Sequence, residues 1–231
     1  MKILLISGHG TGDPGATANV NGKSYQEADE TRKVTSGLAK ALKGVADVTV
    51  YPTDRNAFND YKKGTLVSIA QFSKYKYVLE IHFNAFKKDA GDGATKGVEC
   101  YVTTAENGIG VEEAICKRVA AVGLKNRGVK RKNYSVIQTA KKAGVSSALL
   151  EVCFLDDANN MKVYAAKQDK IIQAIAQGIM DGFCLKKTES ATEKNRRIVQ
   201  EKAGLSDKTM EYLMAYSSGD ELLKKLAGAM R

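Results

Sequence analysis

The 231-residue sequence predicts an α/β protein: a mostly parallel, twisted sheet flanked by helices, followed by a small all-helical module. Two observations support this fold class. Apolar runs typical of strands alternate with helical patterns from residue 1 to about residue 183, which indicates βαβ units around a parallel sheet. The composition then changes to a polar stretch followed by three short helical patterns. A hydrophobic content of 43% is enough for a packed core.

The predicted strands are short runs of apolar or alternating residues, at 2–6, 47–51, 77–82, 98–103, 135–138 and 147–153. The predicted helices carry apolar residues at helical spacing, at 25–42, 61–72, 110–122 and 168–183. Two segments rich in glycine and polar residues, 7–23 and 83–96, are expected to be loops. The region in which strand and helix patterns alternate predicts a first domain over residues 1–185.

The remaining chain predicts a polar segment and a helical module. Residues 186–195 lack apolar periodicity, so they are a linker or the exposed start of a helix. Residues 196–231 contain helical patterns at 196–203, 206–216 and 219–230, with Ser206 and Ser218 as N-caps. A module of this size is small for an independent core, so we expect it to pack on the first domain or to self-associate.

Charge and cysteine content limit the classes of partner. With 36 Lys+Arg against 26 Asp+Glu, the net charge of +10 favours a polyanion, although a protein can be basic without one. The basic clusters at 125–132 and 194–197 lack interleaved aromatic residues, so we expect no nucleic-acid partner. The first apolar run is too short for a signal peptide or a membrane span, which predicts synthesis in the cytoplasm. The four cysteines, Cys100, Cys116, Cys153 and Cys184, form no CxxC pair and predict buried free thiols.

Four polar residues lie at the ends of predicted elements. His9 follows the first strand, and His82 ends the strand at 77–82; they are the 2 histidines of the chain. Glu151 lies near the end of the strand at 147–153, and Glu27 lies at the start of the first helix. Because functional groups of open α/β sheets lie at the carboxyl ends of the strands, we expect these side chains to converge there.

This set of residue types suits a metal centre. Two imidazoles and a carboxylate are a typical ligand set for catalytic zinc, which leaves a fourth position for water. A further carboxylate can act as general base and then protonate the leaving group, and Glu151 fits this role in its apolar strand. The residues alone leave other interpretations open. Each histidine can be structural, Glu27 can be solvated beside the helix dipole, and Glu151 can pair with a lysine or arginine.

Six motifs in order carry a family resemblance. They are GHG at 8–10 with DPGA at 13–16, Glu27, IHFNA at 81–85, KGVE at 96–99, NRGVK at 126–130, and LLEV at 149–152 with Phe154. Over residues 1 to about 185 the chain resembles the zinc-dependent N-acetylmuramoyl-L-alanine amidases of the amidase-3 type. These enzymes occur as bacterial autolysins and as phage or prophage endolysins.

The resemblance implies a site and a reaction. His9, Glu27 and His82 would bind zinc, and Glu151 would be the catalytic residue. The bond hydrolysed would be the amide between the lactyl group of N-acetylmuramic acid and L-alanine of the peptidoglycan stem peptide. Asn84 and Arg127 are expected to contact substrate, although Asn84 can equally be a turn residue; Glu99 has no assigned role and can face solvent.

Further expectations concern the helical module, which lies outside the resemblance, the route to the wall and the alternative functions. The module at 196–231 would bind anionic wall polymers or make the chain a homo-oligomer. An enzyme of the endolysin type would reach the wall after a holin opens the membrane, whereas a sporulation hydrolase would act inside the mother cell. A zinc peptidase that cuts within the stem peptide, or a non-catalytic basic wall-binding protein, remains an alternative function.

Overall fold

The structure is a computed structural model and describes residues 1–86, 94–186, 189 and 191–230. The chain divides into two compact units, Met1–Lys186 and Lys187–Arg231. Parts of two predicted segments, residues 87–93 of the second loop and residues 187, 188 and 190 of the linker, lie outside the described residues. No helix in the described part of the chain is both long and apolar enough to span a membrane.

A mostly parallel sheet forms the centre of the first unit. The strands in chain order are β1 (Lys2–Ser7), β2 (Thr17–Val20), β3 (Lys23–Gln26), β4 (Asp47–Val50), β5 (Tyr77–Asn84), β6 (Val98–Val102), β7 (Asn126–Arg131) and β8 (Ser146–Phe154). The central sheet has the order β4-β1-β5-β8-β6-β7. Its pairs are parallel except that β6 runs antiparallel to β8. Strands β2 and β3 form a separate hairpin.

Helices flank this sheet. In chain order they are α1 (Glu27–Ala41), α2 (Ala57–Lys62), α3 (Leu66–Ala70), α4 (Gly110–Ala120), α5 (Ser135–Lys142) and α6 (Ala158–Gly182). The second unit contains α7 (Ala191–Ala203), α8 (Asp207–Ala215) and α9 (Gly219–Ala229). The predicted α/β fold with a mostly parallel sheet and C-terminal helices is therefore confirmed.

Two apolar layers cover the two faces of the sheet because successive strand residues point to opposite sides. Ile3 and Leu5 of β1 belong to the layer that contains residues of α1, α4 and α6. Leu4 and Ile6 belong to the layer that contains residues of α2, α3 and α5. Strand β5 lies between β1 and β8 and is buried over most of its length. A polar residue on β5 is therefore held in a rigid, largely apolar setting.

The sequence misassigned two regions near the site. The predicted loop at 7–23 contains β2, which pairs with β3 to form the hairpin. The predicted strand at 135–138 is instead the start of helix α5, and the strand of this region is β7. Helix α5 buries Val136, Ile137 and Ala140, which lie at helical spacing. The adjacent apolar pair at its start, Val136 and Ile137, had suggested a strand. Strand β7 is an edge strand rich in charged residues, which hides the usual apolar alternation.

Two predicted helices differ in extent. The helix expected at 61–72 is divided into α2, α3 and a short 3-10 turn, Phe72–Lys74. Between these pieces Gly64 and Gln71 take positive φ values of 71° and 49°, which end an α-helix. Helix α6 begins at Ala158, ten residues before its predicted start, and has non-helical backbone angles at Lys167.

The second unit has its own small core. Val199, Met210, Leu223 and Ala227 are buried together. Helix α7 begins at Ala191, so the second half of segment 186–195 is the start of a helix rather than a linker. The Ser206 side chain accepts a hydrogen bond from the Thr209 amide and caps α8 as predicted. Ser218 is the N-cap residue of α9, as predicted, but its side chain makes no capping hydrogen bond.

Candidate metal centre

Neighbouring parallel strands bring the two histidines together. His9 lies just beyond the carboxyl end of β1, and His82 lies near the carboxyl end of β5. The Gly8 amide donates to the Ile81 carbonyl at 2.8 Å and extends the pairing of these strands to the site. His9 has a φ of 59°, and its ring meets the ring of His82 edge-to-face at 5.0 Å.

Glu27 lies between the two imidazoles. Its Oε1 is 2.9 Å from Nδ1 of His82, and its Oε2 is 3.1 Å from Nε2 of His9. Oε1 also accepts a hydrogen bond from the Phe83 amide, and Oε2 accepts one from the Ala16 amide. Because α1 starts directly after the β2–β3 hairpin, its first residue is delivered to the sheet edge with both oxygens oriented.

The donor atoms fit a metal ion. One ligand atom each from His9, Glu27 and His82 lies within 4.8 Å of the others. A tetrahedral ion with ligands about 2 Å away separates its ligand atoms by about 3.3 Å, which lies within the 4.8 Å spread of these three atoms. Two nitrogens and a carboxylate oxygen are also the ligand chemistry that zinc prefers.

Burial and charge set the protonation of these groups. Burial favours the neutral acid of Glu27, but the hydrogen bonds and charges of the two imidazoles outweigh it and hold the pKa of Glu27 well below its usual range. Burial lowers the pKa of His82, yet Glu27 and Glu80 raise it well above the usual value. Glu27 is therefore an ionised ligand that attracts positive charge to this point of the cleft.

Glu151 faces the same cleft, but no hydrogen bond from the described part of the chain offsets the burial of one of its carboxylate oxygens. Its Oε2 atom is buried and has no hydrogen-bond partner within the described ranges. Burial is the largest influence and raises the pKa of Glu151 to about 7, which the nearby charge of His82 only partly offsets. The cleft has a volume of about 340 Å³ and is lined by both histidines, Glu27 and Glu151. A carboxyl group with this pKa can hold or release a proton near neutral pH.

Glu99 has the opposite environment. It is 1% exposed, so the expectation that it can face solvent was wrong. Its carboxylate accepts hydrogen bonds from Asn84 Nδ2, Tyr101 Oη, Arg127 Nε and Lys130 Nζ. Burial opposes ionisation, but these donors together lower the pKa of Glu99.

The two residues expected to contact substrate are both anchored to Glu99. Asn84 also lines the cleft, and its Oδ1 accepts a hydrogen bond from the Ala85 amide. Arg127 lies with its guanidinium carbon 4.9 Å from the ring centre of Phe154. The substrate contacts of Asn84 and Arg127 stay a prediction. Asn84 is the better placed to contact substrate, because it lines the cleft.

Two carboxylates near the histidines were missed as site residues. Asp13 Oδ2 lies 2.9 Å from Nδ1 of His9, and Glu80 Oε1 lies 3.3 Å from Nε2 of His82. Asp13 belongs to the DPGA motif, which carried the family resemblance but suggested no role for Asp13 itself. Glu80 carries the signal that drew attention to Glu151, a carboxylate within an apolar strand.

The cysteines only partly follow the sequence expectation. All four are free thiols: Cys100, Cys116 and Cys153 are buried, whereas Cys184 is exposed.

Fold and site together define the class of protein. It is an α/β protein whose sheet edge carries a His–Glu–His cluster of metal-type ligands beside a carboxyl group with a raised pKa. Residues 3–181 match the family model for N-acetylmuramoyl-L-alanine amidase. The chain therefore belongs to the N-acetylmuramoyl-L-alanine amidase family.

Several known proteins are similar in sequence. An uncharacterised protein of Clostridium perfringens is 31% identical over 185 residues, 78% of this chain and 51% of that protein. The endolysin of Bacillus phage SPP1 is 28% identical over 190 residues, 78% of this chain and 64% of the endolysin. A sporulation-specific N-acetylmuramoyl-L-alanine amidase of Bacillus subtilis is 27% identical over 202 residues, 83% of this chain and 71% of that protein. The chain thus spans about half to two thirds of the length of the first two relatives.

Solved structures show the same fold. The catalytic domain of CwlV, an N-acetylmuramoyl-L-alanine amidase from Paenibacillus polymyxa, matches with a TM-score of 0.63 and 25% identity, covering 80% of this chain and 100% of that domain. An N-acetylmuramoyl-L-alanine amidase from Clostridium difficile matches with a TM-score of 0.64 and 22% identity, covering 79% of this chain and 96% of that one. At 22% identity the second match supports the fold alone.

Proposed function

We propose that this chain is a zinc-dependent peptidoglycan hydrolase that cleaves the amide between N-acetylmuramic acid and L-alanine of the stem peptide. The observation that carries the proposal is the meeting, in one cleft, of three metal-type ligands with a buried oxygen of Glu151 that has no partner among the residues described. Membership of the amidase family supports the choice of bond.

In this proposal His9, Glu27 and His82 hold the zinc ion. When bound, zinc supplies a Lewis acid and lowers the pKa of a bound water to about 7. The Ala16 and Phe83 amides already orient the Glu27 carboxylate, so ligand binding requires little rearrangement of this side chain. A preorganised ligand of this kind favours one coordination geometry.

Glu151 moves the proton in the proposed reaction. Its carboxylate takes a proton from the water that attacks the carbonyl carbon of the lactyl group. The same proton passes to the nitrogen of L-alanine as the carbon–nitrogen bond breaks. The products are a carboxyl group on the lactyl side and a free amino group on L-alanine.

Product analysis of purified peptidoglycan tests the proposal. Mass spectrometry is expected to find intact stem peptides with a free L-alanine amino group, and a zinc chelator should abolish their release. The Glu151→Gln variant is the matched control because it keeps the three ligands and removes only the proton carrier. New amino groups within the stem peptide would instead identify a peptidase. A chain that binds no added zinc and releases no products would identify a binding protein.

The second unit and the route to the wall extend this proposal. We propose that residues 196–231 add affinity for anionic wall polymers, in keeping with their excess of seven Lys or Arg residues over five Asp or Glu residues. We also propose release to the wall after a holin opens the membrane, which the similarity to a phage endolysin supports. Bacteria that produce the chain should lyse rapidly only when a holin is co-produced, and lysis without one would contradict this route.

A further inference from the structure

His82 is contacted by carboxylates at both ring nitrogens. Nδ1 lies 2.9 Å from Oε1 of Glu27, the proposed zinc ligand, and Nε2 lies 3.3 Å from Oε1 of Glu80. We propose that Glu80 is a positioning residue that accepts the Nε2 proton of His82 and so directs the lone pair of Nδ1 toward the metal. This inference rests on the proposed zinc-dependent function.

The chemistry of imidazole explains the assignment. A neutral ring carries one N–H group and one lone pair, and a metal ion takes the lone pair. A carboxylate at Nε2 needs the N–H group there, so the lone pair must lie on Nδ1. A carboxylate behind a metal-binding histidine also raises the basicity of the ligand nitrogen.

The position of Glu80 requires a specific partner. Glu80 is 4% exposed on the central strand β5, and its register partners on the neighbouring strands are Ile6 and Leu149. A carboxylate among apolar side chains is costly unless it is paired. Residues 80 and 82 point to the same face of the strand, so Glu80 lies directly beside the His82 ring.

Packing around His82 restricts the ring to few orientations. A Cβ atom on residue 8 would lie 2.3 Å from Cε1 of His82, so the ring fits only because Gly8 has no side chain. A half-turn of the ring would exchange each nitrogen with a carbon and lose both carboxylate contacts. Glu27 and Glu80 together therefore select one of the two orientations.

His9 shows the same arrangement with its nitrogens exchanged. Its Nε2 faces Glu27, and its Nδ1 lies 2.9 Å from Asp13 Oδ2. Asp13 is in turn held by the Gly15 amide and by Nδ2 of Asn56. The Asp13 side chain is 36% exposed, whereas that of Glu80 is 6% exposed, so solvent screens Asp13 more than Glu80.

Zinc affinity and ring spectroscopy test this inference in the full chain. Glu80→Gln keeps the side-chain shape, and we expect its zinc affinity, measured by competition with a chromogenic chelator, to fall about tenfold; Glu80→Ala should lose up to about 100-fold. With 2 histidines, a chain labelled with ¹⁵N-histidine gives two ring patterns. In the zinc-loaded wild type His82 should carry its proton on Nε2 and His9 on Nδ1, and Glu80→Ala should alter the His82 pattern alone.

Glu112→Gln is the matched control, because Glu112 is also buried but bonds Tyr77 Oη away from the cleft. It should leave zinc affinity unchanged. Zinc affinity within twofold of wild type in Glu80→Gln, with an unchanged His82 pattern, would overturn the inference even if the melting temperature falls. If Glu80→Ala does not fold, Glu80→Gln decides alone. A wild-type chain that binds no zinc would overturn the proposed function as well, which separates the two failures.

Discussion

Glu99 and Glu151 are the same residue type at the same level of the sheet, yet their environments differ completely. They are register partners on the antiparallel strands β6 and β8. Glu99 accepts hydrogen bonds from four side chains, and its pKa is lowered. Glu151 has a buried oxygen without a described partner, and burial raises its pKa to about 7.

This difference shows that neighbouring positions in one sheet can hold one carboxylate as a structural anion and leave the other able to exchange a proton. Donors supplied by β7 and by the ends of β5 and β6 hold Glu99 as an anion. Strand β8 supplies no such donor to Glu151, so the energetic cost of its burial is offset only in part, by the charge of His82. Pairs of carboxyl groups with divergent pKa values are typical of sites that transfer protons. Five measurements test this contrast.

The largest expected effect is loss of activity in Glu151→Gln. Removing a general acid–base group lowers turnover by about 10²–10⁴-fold. Zinc content should remain at the wild-type level because His9, Glu27 and His82 are untouched. Rates of L-alanine amino-group release and metal analysis measure both quantities; full turnover in this variant would contradict the role of Glu151.

Glu99→Gln should destabilise the fold instead. It removes a buried anion from Arg127 and Lys130, and we expect the free energy of unfolding to fall by about 2–3 kcal/mol, because both cations are partly exposed. Denaturant titration measures this loss. The exposed Glu113 offers a control, since Glu113→Gln should change stability by less than about 0.5 kcal/mol.

The stability difference between wild type and Glu99→Gln should depend on pH. The folded-state pKa of Glu99 lies below the usual value of 4.5, so its contribution is fully present above about pH 4.5 and is lost as the pH falls further. Denaturant titrations between pH 7 and pH 3 should therefore show the two chains converging. A constant difference over this range would show that the Glu99 charge is not the stabilising feature.

Glu151→Gln in the metal-free chain should have the opposite effect on stability to Glu99→Gln, because it should stabilise the fold at high pH. The folded-state pKa of about 7 lies above the unfolded value of 4.5, so ionised Glu151 costs stability as the pH rises through 7. At pH 8 the variant should be more stable than metal-free wild type by about 1–3 kcal/mol, and at pH 4 the gain should vanish. Equal stability at pH 8 would mean that the carboxylate is solvated.

Removal of residues 187–231 should leave the different environments of Glu99 and Glu151 unchanged, because both residues lie in the unit Met1–Lys186. Turnover of a small soluble muropeptide should stay within about twofold, while binding to intact walls weakens through loss of a second attachment. Pull-down on purified walls and a soluble assay measure the two effects. Equal losses in both would point to a folding role for the second unit.

Much of the candidate site could be predicted from local sequence. The apolar runs around His82 and Glu151 fixed their strands, and the topology rule for parallel sheets predicted that these residues meet His9. Helix α1 begins with Glu27, close to the predicted start. The β2–β3 hairpin was missed because its residues, TANV and KSYQ, read as a polar loop.

The sequence by itself determined the α/β class, the family and the four residues that converge, because strand periodicity and motif order are local properties of the chain. Only the tertiary structure decided what each carboxylate does. Glu80, Glu99 and Glu151 are the same residue type, and their differences come from residues distant in sequence. Glu99 is bonded by Arg127 and Lys130, 28 and 31 positions away, whereas Glu151 lies beside His82 of β5. Burial and hydrogen bonding set a pKa, and both depend on which strands become neighbours in the folded sheet.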